Sequence, residues 1–144
     1  MDIKNLIPDA DKSLNGVLVE YTEGVRFRVA SINNPKYESR IQRLMQPYAN
    51  PAKRHQLNDP DLMRRMQIDA EAETILLGWE GLENNGVPFD YSIANAKVLL
   101  FQSPEIRAFI REEATRQDNY RQAAIQEAAA NLKSGPEVVD SVGQ

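Results

Sequence analysis

The stretch from Gly78 to Ser92, Gly-Trp-Glu-Gly-Leu-Glu-Asn-Asn-Gly-Val-Pro-Phe-Asp-Tyr-Ser, leaves this chain few ways to pass through it. Gly81 and Gly86 supply the backbone freedom of a reversal, and Asn84-Asn85-Gly86 reads as a tight turn. Val87-Pro88-Phe89 is held extended, because the residue before a proline avoids the helical region. Ser92 then offers its hydroxyl as the N-cap of a new helix that contains Asn95 and Ala96. The expectation is a helix running to Trp79, the only tryptophan, followed by a rigid corner. Trp79, Leu82, Phe89 and Tyr91 carry the apolar mass of that corner. Two readings of Trp79 and Tyr91 stand side by side: they staple the corner to the core, or they form a hot spot for a partner. A phosphate-binding loop is not expected, since the Gly-x-x-x-x-Gly-Lys pattern is absent and a helix, not a strand, is expected before the turn.

The rest of the chain organises around this corner. Residues 1–15 hold one apolar triplet, Leu6-Ile7-Pro8, without a sustained period, and read as an N-terminal arm. From Gly16, Val17, Val19 and Tyr21 alternate with Leu18 and Glu20. After Thr22-Glu23-Gly24, Val25, Phe27 and Val29 alternate with Arg26 and Arg28, which predicts a β-hairpin. Asn34-Pro35, Asp59-Pro60 and Ser103-Pro104 each join a capping side chain to a proline at the first helical position, where its missing N–H costs nothing. They open three helices, the second expected from Pro60 to about Trp79 and the last from Pro104 until it fades near Leu132. The second helix shows two apolar stripes, Leu62, Met66, Ala70 and Leu77, and Ile68, Ala72, Ile75 and Trp79. The predicted fold is α+β and mainly helical, a hairpin followed by about four helices, spanning residues 16–132. Residues 133–144 read as a flexible tail.

Composition narrows the chemistry. The 144 residues are 42% apolar and 26% charged, as in globular chains, and no apolar run approaches the ~20 residues of a membrane helix. Lacking a signal peptide as well, the chain is expected in the cytosol. There is no cysteine, so disulfides, thiolate metal sites and thiol nucleophiles are closed. The net charge of −4 argues against nucleic acid as the partner. His55, the only histidine, sits in a polar connector with no Gly-x-Ser-x-Gly elbow to complete a triad. Asp69, Glu73 and Glu80 share one side of the expected second helix. Helical di-metal sites add Glu-x-x-His pairs, which this chain lacks. Two fates remain for these acids: pairing with arginines such as Arg26, Arg28 or Arg65, or, for Asp69 and Glu73, facing a basic patch on a partner. No catalytic, metal or cofactor site is expected.

Taken in order, Val25-Arg26-Phe27-Arg28-Val29-Ala30, Asn33-Asn34-Pro35-Lys36-Tyr37, Leu76-Leu77-Gly78-Trp79-Glu80-Gly81-Leu82, the turn at Gly86, Tyr91-Ser92, Asn95-Ala96 and Leu99-Leu100 resemble the tail assembly chaperones of long-tailed bacteriophages. The likeness covers roughly residues 16–120. It implies a non-enzymatic, phage-encoded factor of the host cell cytoplasm, absent from the mature virion. Such a factor binds the tape measure protein and keeps it soluble while tail tube subunits polymerise around it. It also implies that a frameshifted longer form could recruit the tail tube protein, with this chain as the short form or an unshifted relative. Homo-oligomerisation stays open, and neither nucleic acid nor membrane is expected as a partner. The rival reading is a small structural phage protein, such as a head-tail adaptor, retained in the virion.

Overall fold

The computed structural model describes residues 1–121, and the expectations for the tail and for a helix beyond Arg121 lie outside them. Within these residues the architecture is α+β and mainly helical. A short helix α1 (Ala10–Asn15) precedes strands β1 (Val17–Thr22) and β2 (Val25–Val29), which pair antiparallel around Glu23-Gly24. Helix α2 (Pro35–Met45) follows, then 3-10 turns, then α3 (Pro60–Thr74). The chain continues as β3 (Leu76–Glu80), β4 (Glu83–Asn84), β5 (Val87–Pro88), α4 (Ile93–Gln102) and α5 (Pro104–Thr115). The caps act as their chemistry dictates. Asn34, Asp59, Ser92 and Ser103 each accept a backbone N–H of the first turn they precede, and proline stands at the start of α2, α3 and α5.

Three expectations are corrected. The second helix ends at Thr74, not Trp79. Leu76 to Glu80 leave it as β3 and add a third strand, so the sheet order is β1-β2-β3 and Trp79 lies opposite Phe27. The cause is tertiary: β2 has an open edge, and a run of Leu-Leu-Gly-Trp after two β-branched residues suits a strand better than another helical turn. Glu80 therefore does not share a helix face with Asp69 and Glu73. The last helix stops at Thr115, with Arg116 extended and a 3-10 turn at Gln117–Tyr120. Polar Gln117-Asp118-Asn119 offer that turn more than another helical turn would gain.

The core is where sheet and helices meet. Phe27 and Val29 from β2, Ile68 and Ala72 from α3, Ile75 and Leu76 at the helix-to-strand junction, Ala96 and Leu100 from α4, and Ile110 and Ala114 from α5 form one buried cluster. Polar ties close its margins. Buried Asn34 donates its amide N–H to Thr74 O at 2.8 Å while its Oδ1 caps α2, which fixes the start of α2 to the end of α3. Tyr120, also buried, donates to Val29 O at 2.9 Å, and its own carbonyl accepts from Asp9 N at 2.7 Å. Residues 3–15 form a 3-10 turn and α1 against that corner, with Ser31 N donating to Ser13 O at 2.9 Å.

Candidate functional site

The corner closes on itself. Gly81, at φ +90°, passes so near the β1–β2 turn that an added Cβ would lie 1.9 Å from Gly24 O. Asn85 (φ 54°) and Gly86 (φ +80°) form the left-handed pair that a two-residue hairpin turn requires, joining β4 to β5. Phe89 N then donates to Leu82 O at 2.9 Å. Trp79 is half-buried, stacks on Phe89 with centroids 5.6 Å apart, and donates Nε1–H to Phe89 O at 2.7 Å. Tyr91 meets Trp79 edge-on at 5.0 Å and donates to Leu76 O at 2.7 Å. Asn95 donates its amide to Asp90 O at 2.8 Å. The polar side-chain groups of Trp79, Tyr91 and Asn95 thus find partners inside the corner, and Trp79, Phe89 and Tyr91 each remain partly exposed.

The acids of α3 split by depth. Asp69 and Glu73 are half-buried and share Lys97 at 3.7 Å, and Glu73 also accepts two bonds from Arg40, both at 3.1 Å. Glu80, on β3, pairs across the sheet with Arg26 at 3.0 Å, both half exposed. Between Asp69 and Glu73 lies a residue that sequence reasoning missed. Glu71 is fully buried and accepts from Arg107 at 2.9 and 3.1 Å and from Arg111. Nearby, burial raises the Tyr37 phenol above its ordinary value, with the Glu71 charge adding to it. The sequence signal for Glu71 is indirect: Arg107 and Arg111 are spaced to share one face of α5 and call for a carboxylate opposite them. His55 is exposed near Tyr48 and Arg65. Among the described residues no group of His, Cys, Asp and Glu could hold a metal ion, and no helix is long and apolar enough to cross a membrane.

A largely apolar groove lies between α2 and α3. About 280 Å³ in volume, it is lined by Ile32, Tyr37, Ile41, Met45, Met63 and Met66, rimmed by polar side chains such as Glu38 and Gln67. Three of the chain's four methionines, all but Met1, converge on it. Methionine is unbranched and polarizable, so such a lining repacks around differently shaped apolar surfaces.

Comparison with known proteins places the chain by family. Residues 32–131 match the model of the YdaY prophage protein family, a span that takes in the α2–α3 groove and the whole corner. The chain belongs to that family and is a phage-derived protein. No curated protein and no solved structure matches it.

Proposed function

We propose that this phage protein is a non-enzymatic tail assembly chaperone of the host cell cytoplasm that holds the tape measure protein soluble while the tail tube assembles. The observation that carries the reading is the methionine-lined groove between α2 and α3. A tape measure protein is a long helical chain, and an amphipathic helix docks by laying its apolar face into such a groove. A client presenting many successive helical segments is best served by a lining that adapts, which is what methionine provides. The family match establishes a phage protein and no more, and it is the ordered motif likeness that adds the tail chaperone to the reading. A frameshifted longer form that recruits the tail tube protein belongs to this proposal.

Co-expression with the tape measure protein of the same phage is the test. The chain raises the client's soluble fraction and co-purifies with it, and mass spectrometry of finished virions finds it absent. No soluble complex, together with a fixed copy number in the virion, would instead establish a structural tail or head-tail component. Reversing Asp69 and Glu73 to lysine separates two roles for these acids. Because both are paired with Lys97 within the fold, the expected result is a lowered melting temperature of the isolated chain. A complex lost at unchanged stability would assign them to the partner surface.

A further inference from the structure

A cleft of about 500 Å³ opens between α3 and the first turns of α5, lined by Arg64, Pro104, Arg107, Ala108 and Arg111, with no acidic residue on its wall. Its guanidinium groups are positioned by the protein. Arg107 donates through Nε and Nη2 to Glu71 and through Nη2 to Gln67 Oε1 at 3.1 Å, and Arg111 donates to Glu71 through Nη1. Arg64 donates Nη2 to Phe101 O at 2.9 Å and lies over the Phe101 ring, 5.4 Å from its centroid. Glu71 pairs with Arg107 and Arg111, Arg64 has no acidic partner, and no other ion pair to the three guanidinium groups forms among the described residues. Two positive charges are left over in one cleft of a chain whose net charge is −4. Arg64 Nε and Nη1 and Arg107 Nη1 meet no protein acceptor among the described residues.

We propose that this cleft binds a carboxylate side chain of an acidic polypeptide. Guanidinium groups already held in place lose little freedom on binding, and their planar edges match a carboxylate through paired N–H donors. A nucleic-acid backbone fits less well, because tracking phosphates needs a basic stripe rather than a local excess. The inference goes beyond the chaperone reading and holds whatever occupies the methionine groove.

The test is an NMR titration of the full, isotope-labelled chain with a hexaglutamate peptide. Saturable shifts are expected in the Nε–H signals of Arg64, Arg107 and Arg111 and in the first-turn amides of α5. Arg64→Gln is expected to weaken binding about tenfold, as loss of one charge-assisted contact does. Arg65→Gln removes the same charge from an exposed position outside the cleft and is expected to change affinity by less than about twofold. The shift map of the unaltered chain locates the binding site even if Arg64→Gln melts early. Absence of saturable shifts at these residues, equal weakening by both substitutions, or tighter binding of inorganic phosphate or a single-stranded oligonucleotide would each overturn the proposal.

Discussion

At Gly81 the chain has one workable residue, and at Gly86 it has merely the best one. Both have positive φ, but a Cβ at Gly81 would overlap the Gly24 carbonyl, whereas at Gly86 nothing lies within 4 Å. Gly81→Ala is expected to cost about 2–5 kcal/mol, strain plus a forced shift of backbone, while Gly86→Ala costs about 1 kcal/mol from strain alone. Urea denaturation of the two variants checks the difference, and equal losses would show that the contact at Gly24 relaxes freely. The turn at Asn85-Gly86 was legible in the sequence because local φ requirements select those residues. The closeness of Gly81 to Gly24 was not, since it depends on β3 pairing with β2, a contact between residues far apart in the chain.

Helix α3 carries two glutamates, two positions apart, whose energetics differ in kind. Glu71 is fully buried between two arginines, and Glu73 is half-buried with its side chain 27% exposed. Glu71→Gln is expected to destabilise the protein by about 3–5 kcal/mol, because it leaves the guanidinium charge at a buried site uncompensated. Glu73→Gln should cost less, about 1 kcal/mol, because water still reaches this half-buried pair and screens it. Thermal melts of the two variants compare them directly, and similar melting temperatures would mean that water reaches Glu71. The openings of α2, α3, α4 and α5 could all be read from the sequence, because a capping side chain, joined by proline in all but α4, acts locally. The end of α3 could not. Ile68, Ala72, Ile75 and Trp79 keep a helical spacing straight across the junction, and only the open edge of β2 decides that Leu76 to Glu80 become a strand. The burial of Glu71 was hidden for a related reason: along the helix it looks like Asp69 and Glu73 until α5 is laid beside it.

Across the whole molecule, three tyrosines make stability sensitive to alkali. Burial raises the phenols of Tyr37, Tyr91 and Tyr120 above the ordinary value of 10.0, with the Glu113 charge adding to the rise at Tyr120. The folded state therefore holds these protons after the unfolded chain has released them. Their contribution is fully present below pH 10 and shrinks as pH climbs beyond it. Urea midpoints measured between pH 8 and pH 11 should hold level as far as these groups are concerned and then fall. Tyr120→Phe should lower the midpoint at neutral pH, through loss of the bond to Val29 O, and flatten the alkaline decline. An unchanged slope would show that Tyr120 ionises freely. At this scale the groove is the feature the sequence concealed most. Met45, Met63 and Met66 lie on two helices separated by a connector, and only the packing of α2 on α3 gathers them. The proposed function rests on that groove being where a helical client docks. Its most direct measurement is co-purification of the tape measure protein with the double variant Ile41→Glu, Met45→Glu, whose side chains are half-buried on α2 and line the groove. The prediction is a chain that remains folded, as circular dichroism verifies, and retains about a tenth or less of the client held by the unaltered protein. Full retention of the client by the folded double variant would contradict it.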